Sequence, residues 1–220
     1  MGGFQDCGDP WPLRQLVLRT PRLELRPDDD AGLAELVEVA YQGVHPPEVM
    51  PFEVPWTDAD PRYLGRGTLQ YHWRTRAELG PEKWSLHFLV RLDGRVIGVQ
   101  SLTGAEFGMT REVSTGSWIG MRYQRQGYGT EMRAAVLGLA FDHLSAHTAR
   151  SAAFPDNAAS LAVSRRLGYR EDGSQTLAVR GEKVVETRLL VTREDFQVHR
   201  PGWALEVTGL DPCIGLLGAA

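Results

Sequence analysis

The chain is expected to fold as a mixed α+β sheet, mostly antiparallel, with a strand–helix–strand crossover at its centre. Three observations carry that expectation. Short alternating apolar segments come in turn-linked pairs, with Asp93-Gly94 and Arg180-Gly181 as hairpin turns. Between the pairs, an apolar segment ends in a glycine turn that opens directly into an amphipathic stretch over residues 117–144. A short strand at 149–154 and a capped helix at 157–167 then lead back to the sheet.

The elements follow in order. Residues 1–14 are rich in Gly, Pro and Asp and read as a loose arm. Residues 16–26 alternate apolar Val17, Leu18, Leu23 and Leu25 with Arg19, Arg22 and Arg26, and Pro21 in the middle predicts one bent strand. Asp28 to Asp30 cap a helix of about ten residues, with Leu33, Leu36, Val37 and Ala40 on one face. The string GVHPPEVMPFEVPWT at 43–57 holds four prolines and excludes a regular helix. A second helix is expected over 60–79, with Tyr63, Tyr71 and Trp73. Strands are expected at 84–92, 96–102 and 113–121. The helix after the glycine turn places Met132, Ala135, Val136, Leu139, Ala140, His143 and Leu144 at three- and four-residue spacing. Two more strands fall at 175–179 and 184–191. After Pro201 come a strand-like run at 204–207 and a loose apolar tail. The expected organisation is an arm at 1–14, one domain at 15–197 and a C-terminal extension at 198–220.

Composition narrows the function. The 220 residues are 42% hydrophobic and 24% charged, as in a globular protein with a substantial core. A net charge of −4 and a pI near 5.9 argue against a nucleic-acid binder, which needs a basic face. No apolar run reaches bilayer-spanning length, and the N-terminal MGGFQDCGDPWP lacks the order of a secretory signal, so no membrane partner and a cytoplasmic location are expected. Cys7 and Cys213 read as free thiols in a reducing compartment; a single bridge between them is the alternative. No Cys/His cluster has zinc spacing, and no metal is expected.

The richest stretch is SWIGMRYQRQGYGT at 117–130. The first turn of a helix exposes N–H groups without helical partners. Gly127 and Gly129 clear side chains from in front of them, which makes a seat for phosphate oxygens. Each charge-assisted hydrogen bond there is worth roughly 1.5–3 kcal/mol. Met132 stands where a dinucleotide fingerprint has its third glycine, and no P-loop string occurs. Downstream, FPDNAASLAVSRRLGY puts Asn157, Ser160 and Ser164 on one helical face. That face is either solvated or the lining of a ligand channel beside the glycine turn.

Taken together, QRQGYG at 124–129 and DNAAS…RRLGY at 156–169 resemble the GNAT acyltransferases, in the RimJ/RimL-type branch, over about residues 15–197. The strings GVHPPEVMPFEVPWT, YGTEMRAAVL and NAASLAVSRRLGY are similar to an actinobacterial subgroup in which some members transfer succinyl groups. The resemblance implies a sheet of roughly six to seven strands with about four helices. It implies acyl-coenzyme A, acetyl or succinyl, as co-substrate, with its pyrophosphate on the amides of Gln124, Arg125, Gln126, Gly127, Tyr128, Gly129 and Thr130. Its pantetheine arm would pair along Ile119, Gly120 and Met121, with Asn157 on an amide and Ser160 and Arg165 near the phosphates. Ser164 falls where many relatives carry the tyrosine that protonates the leaving thiolate. A serine hydroxyl is far less acidic than tyrosine's ~10, so Ser164 is expected to donate a hydrogen bond to sulfur.

The implied chemistry is direct attack of an amine on the thioester, with an oxyanion donor expected from a free N–H near Gly120 or Met121. A lysine-like amine costs about 4.6 kcal/mol to deprotonate at pH 7, an α-amine only about 1–1.4 kcal/mol, so a base matters for the first. Where some relatives carry a base glutamate, this chain has Ser114. Glu53, His72, Glu106, Glu112 and His87 remain, with Glu53 and His72 preferred because the acceptor side lies over them. Phe52, Trp56, Ser117 and Trp118 are the expected acceptor wall. A succinyl carboxylate would need a cation, from His72, Arg74, Arg76 or Arg122. The acceptor is a protein amine or a small-molecule amine, antibiotics included; an acyl-coenzyme A sensor without catalysis is the other class. A homodimer is compatible, with the apolar tail after Trp203 as its docking surface.

Overall fold

A computed structural model describes residues 9–220. Nine strands form one sheet in the order β7-β8-β6-β5-β4-β3-β2-β1-β9. They are β1 (Val17–Arg19), β2 (Leu23–Pro27), β3 (Lys83–Leu92), β4 (Arg95–Ala105), β5 (Glu112–Ile119), β6 (Thr148–Ala153), β7 (Arg170–Val179), β8 (Glu182–Thr192) and β9 (Glu206–Thr208). The helices are α1 (Asp30–Tyr41), α2 (Pro61–Ala77), α3 (Phe107–Thr110), α4 (Tyr128–Gly138), α5 (Ala158–Arg166) and α6 (Arg193–His199). A single π-helical turn, Leu139–His143, extends α4. Every strand pair is antiparallel except β5 with β6. The sheet is thus larger than the six to seven strands expected.

The local rules are visible at the boundaries. The Asp29 side chain accepts the Gly32 N–H and starts α1, and Asp60 does the same for α2 through Arg62. Asp93 and Gly94 both have positive φ (49° and 81°), the geometry of a two-residue hairpin, and Arg180 and Gly181 repeat it. Strand alternation sends Leu86, Phe88 and Val90 into the main core with α4, and Leu89 to the opposite layer with Leu33 and Leu36 of α1. Complete burial of such a side chain contributes about 1.5–3 kcal/mol.

Three expectations change. Residues 16–26 are a hairpin, not one bent strand, because Thr20 closes a turn around Pro21 by bonding Leu23 through both its N–H and its hydroxyl. The expected arm packs at its inner end: Pro12–Gln15 is a 3-10 turn with Leu13 buried, while residues 1–8, including Cys7, lie outside the described part. The apolar tail closes on its own chain. β9 pairs with β1, Cys213 and Leu217 are buried, and Trp84 donates its indole N–H to the Leu217 carbonyl at 2.8 Å. The Cys213 thiol, pushed up to about 11 by burial, donates to the Gly209 carbonyl. No helix of the described residues is long and apolar enough to cross a membrane.

Candidate active site

The sheet opens at its centre. β5 and β6 pair only through Glu112, Val113 and Ser114 against Thr148, Ala149 and Arg150. Two hydroxyls bridge the point of divergence: Thr115 Oγ1 donates to the Arg150 carbonyl and Ser151 Oγ to the Thr115 carbonyl, both at 3.3 Å. Beyond it β5 stays with β4 to Ile119, and β6 stays with β8. The Gly120 N–H faces β4, donating to the Ile97 carbonyl at 3.0 Å. Since strand amides alternate sides, those of Ser117 and Ile119 face the gap. The gap continues into a cleft of about 930 Å³ between α4, α5 and the 44–58 loop.

At one end of the cleft sits the glycine turn. Arg125 (φ 62°) and Gly127 (φ 86°) adopt left-handed conformations, curling the chain before α4 begins. Among the described residues, no acceptor takes the amides of residues 125–130. At Gly127 a side chain would meet the Arg22 guanidinium at 3.3 Å in a disfavoured φ. A strut holds the turn from behind. Arg22 donates to the Gln126 carbonyl at 3.1 Å, to Glu131 at 2.7 Å, and stacks on the Tyr128 ring. Buried Glu131 also accepts from Thr20 Oγ1 at 2.6 Å. Gln124 braces the opposite side through its amide, donating to Val44 and Ile119 carbonyls at 2.8 and 2.9 Å.

Along the walls, Asn157 Oδ1 accepts the Ser160 N–H at 3.1 Å and caps α5, which leaves the amide NH2 to the cleft. Arg166, rather than the expected Arg165, lines the cleft. The floor is Arg133, 5% exposed, one turn into α4. Its Nη1 donates to Ser164 Oγ at 2.8 Å, its Nη2 to Ser117 Oγ at 3.4 Å, and its Nε has no partner among the described residues. Ser164 itself is fully buried and donates to the Ser160 carbonyl at 3.0 Å.

At the other end, the 44–58 loop sets aromatic rings in series, His45 edge-on to Phe52, Phe52 tilted against Trp56 and Trp56 tilted against Trp118, at 5.4–5.5 Å between centroids. The β7–β8 hairpin clasps the loop through a two-bond Arg180–Asp58 pair at 2.6 and 2.7 Å. Glu53 lines this end. Burial, with the charge of Glu53 added, raises the Glu186 carboxyl above the ordinary range, while Gln175 hydrogen-bonds it.

Of the residues singled out from sequence, Ile119, Gln124, Arg125, Gly127, Gly129, Thr130, Asn157, Ser160, Phe52, Glu53, Ser117 and Trp118 line the cleft together. Trp56 backs the wall through Trp118. Gln126 and Tyr128 turn outward to Arg122 and Arg22. Three expectations are corrected. His72, 2% exposed, lies between Asp28 (3.2 Å) and the His87 ring (4.8 Å) on the far layer, away from the cleft. Ser164 faces Arg133 rather than the cleft. The N–H groups of Gly120 and Met121 are spent on Ile97 and Gly43 carbonyls, and the amides that face the gap are those of Ser117 and Ile119. None of the cations suggested for a carboxylate, Arg74, Arg76 and Arg122, lines the cleft. Sequence reading missed Arg133 and the Arg22–Glu131 strut; Arg133 sits among apolar helix positions and its partners are distant in the chain.

A strand with amides facing a gap thus leads to a helix N-terminus whose first amides are unpartnered among the described residues. Residues 22–170 match the family model described as acetyltransferase (GNAT) domain, and the chain belongs to that family of acyl-coenzyme A-dependent N-acyltransferases. Solved structures with the same fold include Mycobacterium smegmatis RimJ in complex with CoA-disulfide (22% identity, 84% of this chain and 90% of that one, TM-score 0.66). RimL, a ribosomal L7/L12 α-N-protein acetyltransferase in complex with coenzyme A, aligns at 16% identity over 79% and 95% of the two chains, with TM-score 0.62. A spermidine N-acetyltransferase chimera of Vibrio cholerae SpeG and hSSAT aligns at 15% identity over 80% and 98%, with TM-score 0.61.

Proposed function

We propose that the protein transfers an acetyl group from acetyl-coenzyme A to a primary amine in a ternary complex. The observation that carries this reading is the run of unpartnered amides at 125–130 continuing into the gap beside Ser117 and Ile119. The turn amides hold the pyrophosphate, the Asn157 amide and the gap-facing strand amides hold the pantetheine arm, and the Ser117 N–H meets the oxygen that becomes negative during attack. The co-substrate supplies an activated carbonyl and a thiolate leaving group; the chain aligns it with the amine. Glu53 takes the proton of the incoming ammonium at the far end of the cleft, where Glu186 shares its field. A protein amine is the favoured acceptor, in line with what the RimL relative's name says it modifies. A small cationic amine is the second reading, favoured by the Glu53–Glu186 pair.

Thiol release with acetyl- and succinyl-coenzyme A against peptides with free N-termini, lysine peptides and polyamines tests both readings. Turnover with acetyl-coenzyme A and an amine is expected. Tight coenzyme A binding with no turnover on any amine would place the protein among acyl-coenzyme A sensors instead.

A further inference from the structure

We propose that Arg133 contacts the sulfur of the bound cofactor and carries the negative charge of the departing thiolate. This rests on the acyl-coenzyme A reading above. A guanidinium has five N–H donors, and a lone buried cation is strongly disfavoured without a counter-charge. Among the described residues no carboxylate bonds Arg133: its partners are the hydroxyls of Ser164 at 2.8 Å and Ser117 at 3.4 Å, and its Nε is left without one. The titratable group that faces it is Tyr169, whose hydroxyl bonds Thr115 and which burial keeps protonated. Burial pushes the Arg133 pKa down, and an arriving anion reverses that. The glycine turn takes the pyrophosphate at the start of α4, whereas Arg133 lies one turn further along, against Ser117. That is the level at which the strand amide meets the thioester. Ser164 cannot serve the sulfur directly, being fully buried with its hydroxyl proton committed to the Ser160 carbonyl. It acts instead as a positioning residue, accepting from Nη1 and fixing the fork.

The step balances without another reagent. The neutral amine, its ammonium proton already on Glu53, bonds through nitrogen to the carbonyl carbon, its second proton passes to water, the C–S bond breaks, and the electron pair stays on sulfur opposite the guanidinium. A thiolate held there is stabilised as an anion, so the enzyme needs no tyrosine to protonate it in flight.

The test is binding of coenzyme A and of desulfo-coenzyme A, which lacks the sulfur, followed across pH by calorimetry, with thiolate absorbance reporting the bound thiol. A free thiol titrates near about 8.5. If Arg133 faces the sulfur, the bound thiol titrates at least about one unit lower, and coenzyme A gains about tenfold in affinity relative to desulfo-coenzyme A between about pH 6.5 and about pH 9.5. In Arg133→Met the gain disappears while desulfo-coenzyme A still binds; Arg133→Lys restores part of it. A bound thiol that titrates like the free one in the wild-type protein overturns the proposal, whether or not the variants fold. Loss of succinyl-coenzyme A binding alone in Arg133→Met, with an unchanged thiol, also overturns it, by assigning the cation to an acyl carboxylate. Absence of binding by both ligands to the wild-type protein overturns the cofactor reading instead.

Discussion

The two ends of the cleft are made of different materials. The end proposed for phosphate is backbone: amides of residues 125–130 shaped by two left-handed residues and held from behind by Arg22 and Glu131. The end proposed for the acceptor is side chain: a series of edge-on and tilted rings, the Arg180–Asp58 clasp and the Glu53–Glu186 pair. A backbone seat serves a ligand that never changes, because its donors survive most substitutions. A side-chain wall can be exchanged residue by residue, which suits an acceptor that differs between relatives.

If that contrast holds, damage to each end should read out separately. The largest effect is expected from Gly127→Asp, which strains a left-handed position and sets a carboxylate in the phosphate seat. Loss of two charge-assisted bonds corresponds to at least about 100-fold weaker coenzyme A binding by calorimetry. Retained affinity would count against the seat.

Acid should act on neither end first, but on the layer that carries them. Burial, with some help from His72, lowers the His87 pKa to about 4. A histidine depressed in the folded state favours the fold above its unfolded pKa of about 6.5, and that contribution fades as pH falls through 4. The predicted loss is about 3 kcal/mol between pH 7 and pH 4, read from urea midpoints, and His87→Gln should flatten the slope. An unchanged slope in that variant would assign acid sensitivity elsewhere.

Trp56→Ala sharpens the contrast from the acceptor side. It removes the ring that backs Trp118, and a roughly tenfold rise in the amine KM is expected with coenzyme A affinity unchanged. Equal losses for both ligands would mean that the two ends are not independent. Arg180→Ala is the mildest test. The pair it breaks is exposed and screened by solvent, so the urea midpoint should barely move, whereas loosening the loop should raise the amine KM a few-fold.

The same contrast separates what the amino-acid sequence makes legible from what it hides. The glycine turn, a cap at Asp156 or Asn157 and the hairpin dipeptides are local: a few adjacent residues impose the conformation, so their letters announce it, and the structure puts the cap on Asn157. The crossover at β5 and β6 is equally legible, from an apolar strand feeding an amphipathic helix. His72 looks available because the helix carrying it covers the acceptor side of this fold, yet its ring turns into the opposite layer to meet Asp28. Gly120 and Met121 look free because a strand end alone does not say which carbonyl will approach it. Arg133 is hidden in the run EMRAAVLG, where helical spacing says only that the face is buried. What buries it, Ser117 on one element and Ser164 on another, is knowable only once the elements meet.

The pairing of β9 with β1 has a consequence for how the protein is made. Val17 lies opposite Thr208, so β1, the first strand among the described residues, keeps a bare outer edge until residues 206–208 have left the ribosome. During that interval the exposed N–H and C=O groups of residues 17–19 are a template for any passing strand, including one from a neighbouring nascent copy. Slow translation or premature termination after β8 should therefore send the protein into aggregates rather than merely shorten it.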